Sequence, residues 1–281
     1  MGTIDFHTHT FEDHIAFKAV DKLRRSANIR NYTDGTDSGL MKADSDNDIS
    51  LSVVLPVATR IMQANAINAR SVKKNELSSE TGLIYFAAIH PEDTNILSML
   101  GNIKKAGFKG IKIHPVAQDV RMDDIMYLRI LDIASELDLI TVVHAGEDIS
   151  FPGNDKSSLK YILKAIDIVK PTKFVLAHMG GFNEWDMVES DLAGADVYLD
   201  TSFSINEIIP FDDKLPSCNS VLELSKFVRI VRKHGADKIL FGSDSPWTSQ
   251  RVSVQNIINS GLTEEEINLI LEGNAHRLLF V

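Results

Sequence analysis

His7 and His9 form a His-x-His pair at the end of the run Thr3-Ile4-Asp5-Phe6. Residues two apart on a strand project to one side, so the two imidazoles leave the backbone together, about 6–7 Å apart, and can close on Zn²⁺ or a similar ion at about 2.0–2.1 Å. Such a pair alone fits surface histidines on a short strand equally well. His144, His178 and Asp244 stand at three further expected strand ends, however. Chance does not readily place five such residues there, and the pattern points to a metal site. His90 and His114 bring to six of nine the histidines at C-terminal strand ends.

The elements that position these groups are legible as short β-branched or apolar runs, each followed by helical spacing, the pattern of parallel strands joined by crossover helices. Eight runs occur: Thr3-Ile4-Asp5-Phe6, Ser52-Val53-Val54-Leu55, Leu83-Ile84-Tyr85-Phe86, Gly110-Ile111-Lys112-Ile113, Ile140-Thr141-Val142-Val143, Phe174-Val175-Leu176-Ala177, Val197-Tyr198-Leu199 and Ile239-Leu240-Phe241. Helices are expected over 13–26, 60–77, 92–105, 124–137, 156–169, 183–191, 221–234 and 263–279, with Gly107 and Gly235 as C-caps and a capping box at Thr263. Eight such units in 281 residues predict an α/β fold, a single (β/α)8 TIM barrel domain over 1–281, regular or distorted, whose C-terminal rim gathers distant side chains into one mouth. Alternation puts Asp5, His7 and His9 on one face, and Gly110, Lys112 and His114 on another with Lys112 pointing into the barrel. The first βα connection, 10–48, is long, and its polar half, 32–48, is expected to be a mobile flap over the barrel or a disordered surface insertion.

A formal charge of −10 has the wrong sign for a nucleic-acid surface or for docking on anionic lipid, and no apolar run reaches the length of a membrane span. A small-molecule substrate is the expected partner. The lone Cys218 allows no disulfide within the chain, and the N-terminus has no secretory pattern, so a cytoplasmic location is expected. A homodimer is the default assembly.

Six blocks, in order, carry a family resemblance over nearly the whole chain: Ile4-Asp5-Phe6-His7-Thr8-His9, Gly107 to Pro115, Val142-Val143-His144-Ala145-Gly146, Leu176 to Gly181, Phe241-Gly242-Ser243-Asp244-Ser245-Pro246-Trp247 and Gly273-Asn274-Ala275-His276-Arg277-Leu278. The chain resembles the amidohydrolase superfamily, in the branch of small TIM-barrel metal-dependent hydrolases that includes the aminocarboxymuconate-semialdehyde decarboxylase-like enzymes. The resemblance implies that His7, His9, His144 and Asp244 hold a divalent ion, zinc foremost, and that one ion is favoured over two. It implies further that Asp244 acts as general base and that His178 polarises the substrate or binds a second ion. Lys112 resembles the lysine that, once carboxylated, bridges two ions in binuclear members; desolvation and nearby cations would supply the neutral amine this requires. The decarboxylase members typically lack that lysine, which favours a hydrolase acting through metal-activated water on an amide, lactone or related carbonyl. The alternatives are non-oxidative decarboxylation of a small unsaturated or aromatic acid, and a non-catalytic metal-binding barrel.

His114, Glu147 and Trp247 are candidate substrate contacts, against a hydrogen-bonded rim histidine, a solvated loop acid and simple packing. Asp148 and His90 carry the same pair of readings. His14, His234 and His276 are expected in surface or capping roles on helices, Asn274 and Arg277 in support of the fold, and Cys218 as inert.

Overall fold

The computed structural model describes residues 2–281. Strand β1 (Thr3–Thr8) pairs in parallel with β2 (Ile49–Val54), and β2 with β3 (Leu83–Tyr85). A second parallel sheet runs in chain order through β4 (Ala87–Ala88), β5 (Gly110–Ile113), β6 (Ile140–Val143), β7 (Phe174–Leu176), β8 (Tyr198–Asp200) and β9 (Ile239–Leu240). β3 and β4 are one strand interrupted at Phe86, whose N–H still reaches Val54 O at 3.0 Å, an ordinary ladder distance. The ring closes between β9 and β1, where Phe6 N–H donates to Phe241 O and Asp244 N–H to His7 O, both at 2.8 Å, and Thr8 bridges Ser245. The result is the eight-position α/β barrel that the sequence implies.

Every residue of β5 and β6 is buried, as parallel strands covered on both faces must be. Ile4, Phe6, Val53, Leu55, Phe86, Val142, Val175 and Leu240 fill the barrel, while Ile111, Ile113, Val143, Leu176 and Leu199 pack outward with helix residues such as Leu100, Tyr127, Ile130, Ile162 and Phe227. The capping box at Thr263 is formed.

Several expectations need correction. The stretch 32–48 holds a helix, Asp37–Asp46, capped by Thr36, with Leu40 fully buried against Val54, Leu83 and Tyr85. It is packed on the outer side of β2 and β3 and is neither a flap over the mouth nor a disordered insertion. A helix also forms at Gln250–Ile258, where the sequence pattern predicts none. The closing helix breaks into Glu264–Asn268, a π-type turn at Leu269–Gly273 and Asn274–Phe280. The break has a physical use: Ile270 O accepts from Phe241 N–H at 2.9 Å and so ties the helix to the strand end before Asp244. His234 is buried, not a surface group. Its Nε2 donates to Val197 O (2.9 Å) and its Nδ1 accepts from Gly194 N–H (3.2 Å). Asn274 supports the fold as expected, donating to Ala236 O and Ile239 O at 2.7 Å each.

Candidate metal centre

Strict alternation fails in β1. The pairing with β2 shifts register between Asp5 and Thr8, a bulge that turns Asp5 to Ser243 and Gln250 while His7 faces Lys112 and Asp200. Asp5 therefore does not share the face of His7 and His9. Lys112 does point inward as alternation requires, fully buried with Nζ 3.4 Å from His7 Nε2.

The tautomers follow from what each ring's outer nitrogen meets. His7 Nδ1–H donates to Asp200 Oδ2 at 2.8 Å, and His9 Nδ1–H to the carbonyl of Leu55 at 2.9 Å. Both Nε2 lone pairs are left aimed at one point. They lie 3.2 Å apart, and Asp244 Oδ1 stands 3.5 Å from the first and 3.1 Å from the second. Three acceptors this close persist only around a positive charge, a proton or a metal cation. Two imidazoles and one carboxylate oxygen form a donor set that suits a divalent ion, and they leave coordination positions open.

The electrostatics agree with ligation, which needs neutral imidazoles and an ionised acid. Burial pushes His7 well below the ordinary imidazole range, helped by the Lys112 charge. Burial likewise brings His144 down to about 3 and His178 to about 4. Asp244 is also buried, which acts to raise it. The positive charge that His9, with its hydrogen bond, and His7 and His178 bring when protonated outweighs that and holds it far below the carboxylate range, a part that a bound cation would take over once the rings are neutral. Lys112 falls to about 8, through burial, against the pull of Asp200 and Asp244.

His144 stands one step outside the trio. His178 Nδ1–H donates to Ser202 O at 3.0 Å, so its Nε2 accepts from His144 Nδ1–H, also at 3.0 Å. His144 Nε2 is then buried without a partner. His114 stacks on His144 at 4.1 Å between ring centroids, and its Nδ1 accepts from Ala117 N–H, so Nε2–H faces Asp148 Oδ2, 3.5 Å away. Glu147 is exposed and its carboxylate turns aside to Asn183 at 2.8 Å, leaving Asp148 as the acid beside these rings. Trp247 packs on the main apolar cluster. His90 is buried, its Nδ1 accepting from Glu92 N–H.

Two residues of consequence were missed in the sequence. Asp200, at the end of β8, takes His7 Nδ1–H on Oδ2, and on Oδ1 it accepts from His178 N–H (3.1 Å), Ser202 N–H (3.0 Å) and the Ser202 hydroxyl. Gln118 donates to Ala58 O (2.9 Å) and Ile89 O (2.6 Å) and accepts from His114 N–H (2.9 Å) and Tyr127 OH (2.8 Å), pinning the strand-end loop that carries His114. A polar residue closing a predicted strand was the available signal for Asp200; nothing local marks Gln118.

The backbone at this rim is unusual as well. His178, Phe203 and Asp244 have φ of 60°, 48° and 65°. Side-chain-bearing residues rarely adopt this left-handed region, and such conformations gather where the surroundings over-determine them.

The amidohydrolase family model matches residues 81–281, beginning after His7 and His9. No curated protein matches the chain. Solved structures similar along the whole length include a 2,6-dihydroxybenzoate decarboxylase from Rhizobium, with 15% identity, 99% of this chain and 98% of that one covered, and a TM-score of 0.71. A dihydroxybenzoic acid decarboxylase from Polaromonas, with bound manganese and 2-nitroresorcinol, has 15% identity, coverage of 99% and 96%, and a TM-score of 0.69. A TIM-barrel protein from Bordetella bronchiseptica has 13% identity, coverage of 99% and 98%, and a TM-score of 0.75. At these identities the likeness concerns the fold.

Proposed function

We propose that this chain, which belongs to the amidohydrolase family, is a divalent-metal-dependent decarboxylase of a small aromatic or unsaturated carboxylic acid. One observation supports the reading: a cluster of three acceptors that a divalent cation would satisfy, with the buried amine of Lys112 at its edge. A divalent ion there and the Lys112 ammonium, offset by the Asp244 and Asp200 carboxylates, would leave a net positive site suited to an anionic substrate. The decarboxylase activity in the names of the Rhizobium and Polaromonas structures adds support. His7, His9 and Asp244 would hold the ion, with His144 as the further ligand expected from the sequence. When bound, the ion supplies Lewis acidity toward substrate oxygens.

The chain's own groups do the rest. Asp200 fixes His7 in the ligating tautomer, and Ser202 O fixes His178 with Nε2 directed inward. Lys112, at about 8, carries its proton at neutral pH. It pairs with the substrate carboxylate and stands ready to protonate the carbon that loses carbon dioxide, so that C–COO⁻ becomes C–H.

Lys112 also sustains a second reading, hydrolysis of an amide or lactone. A carboxylated Lys112 would bridge two ions, the second held by His144 and His178, whose facing nitrogens lie 3.0 Å apart. A panel of hydroxybenzoates, unsaturated acids, lactones and amides, assayed in D2O and in ¹⁸O-water, separates the two. Decarboxylation releases carbon dioxide and places deuterium on carbon. An organic product carrying ¹⁸O with no carbon dioxide released would overturn it. Elemental analysis identifies the ion, for which the donor set suits zinc and the Polaromonas structure offers manganese.

A further inference from the structure

The helix Asp37–Asp46 lies outside the barrel, yet buried side chains join it to the acceptor cluster. Gln250 Nε2 donates to Asp44 Oδ1 at 2.7 Å and to Asp5 Oδ2 at 3.0 Å. Asp5 accepts in addition from Ser243 Oγ–H (2.6 Å), Ser243 N–H (2.9 Å) and His7 N–H (3.3 Å). Ser243 Oγ then accepts from Ser245 N–H at 3.0 Å. Asp5, Asp44, Gln250 and Ser243 are all buried. The turn this chain of contacts holds is the one that presents Asp244 at its left-handed φ of 65°, a conformation that relaxes unless its neighbours fix it. Asp5 grips both sides of the cluster, through the backbone of His7 and through the residue before Asp244.

We propose that Gln250 and Asp44 are positioning residues that act through Asp5 and Ser243 to set His7 and Asp244 for ion binding, so that docking of the helix Asp37–Asp46 and occupancy of the metal centre are thermodynamically linked. This rests on the metal-centre reading given above and is independent of which reaction follows. Linkage is reciprocal: if docking tightens the ion, the ion tightens docking by the same free energy. A residue that served only the fold would lower global stability and leave the ion's dissociation constant alone.

The test uses the full chain and Mn²⁺ as the probe, with affinity from calorimetry and amide exchange over 37–46 measured with and without the ion. Wild type is compared with Gln250→Leu and His9→Ala, and with Gln250→Asn, whose shorter amide reaches only one of the two carboxyls and which stands in should the leucine variant not fold. Affinity is expected to fall about tenfold in the Gln250 variants, the scale of a lost outer-shell partner. Mn²⁺ should slow exchange over 37–46 in wild type and much less in those variants. Mn²⁺ binding by the Gln250 variants within about twofold of wild type, while His9→Ala loses the ion, overturns the positioning role alone, since that lies well short of the outer-shell effect. Undiminished binding by His9→Ala overturns the metal centre, and the linkage with it.

Discussion

Asp200→Asn isolates the tautomer argument on which ion binding depends. The substitution keeps shape and volume, but an amide presents one acceptor and one donor where the carboxylate presents two acceptors. Three donors converge on Oδ1, from His178 N–H, Ser202 N–H and the Ser202 hydroxyl, whereas only His7 Nδ1–H meets Oδ2. Turning the amide nitrogen toward Oδ1's partners would forfeit the two backbone N–H bonds, about 1 kcal/mol each, and force the Ser202 hydroxyl to turn round, so the oxygen stays there and the NH2 faces His7. Two N–H groups at 2.8 Å are incompatible, and the ring answers by moving its proton from Nδ1 to Nε2, the atom that faces His9 and Asp244. One of three converging lone pairs is thereby blocked. Loss of such an outer partner costs about 10–100-fold in metal affinity, or about 1.4–2.7 kcal/mol. Mn²⁺ calorimetry gives the affinity, and ¹⁵N shifts of the His7 ring report which nitrogen carries the proton. Wild-type affinity, or a His7 proton still on Nδ1, would refute the reasoning.

Two further outcomes follow from the same geometry. Burial raises Asp44 from 3.8 to about 6, so the folded state binds that proton more tightly than the unfolded chain does. Its stability contribution is full below about pH 4 and is lost as pH rises through about 6, by about 3 kcal/mol in all. Asp44→Asn should flatten that slope, read from urea midpoints between about pH 4 and 7; an unchanged slope would show that Asp44 titrates normally. At Gly242 a Cβ would lie 2.8 Å from His7 Cβ and 3.3 Å from Ser202 Cβ. Gly242→Ala should cost about 1–3 kcal/mol in stability, seen by thermal melting, and should displace His7 so that metal content in elemental analysis drops. A fully loaded variant would mean that β1 yields without moving the ring.

The barrel was legible because parallel strands buried on both faces read as unbroken apolar runs, and because strand ends occupy one rim whatever their order in the chain. That logic groups His7, His9, His144, His178 and Asp244 at one rim; the structure brings His7, His9 and Asp244 against one another and leaves His144 one step outside. What escaped was everything that depends on a contact between distant segments. The bulge that swings Asp5 from the face of His7 exists through its bonds to Ser243 and Gln250, far along the chain. The helix Asp37–Asp46 buries only Leu40 and Asp44, too thin a stripe to show periodicity among Asp, Ser and Gly residues, and it is held by docking, not by propensity. Asp200 looks like any acid closing a strand until His7 and His178 are set beside it. The groups proposed to hold the ion are thus placed by topology, which a sequence displays. The groups that aim them are fixed by packing from outside the barrel, which it does not. A variant at Asp200 or Gln250 should therefore alter ion affinity while leaving the architecture intact, whereas substitutions along β5 or β6 should lower stability and affinity together, because there both faces of the strand carry the core.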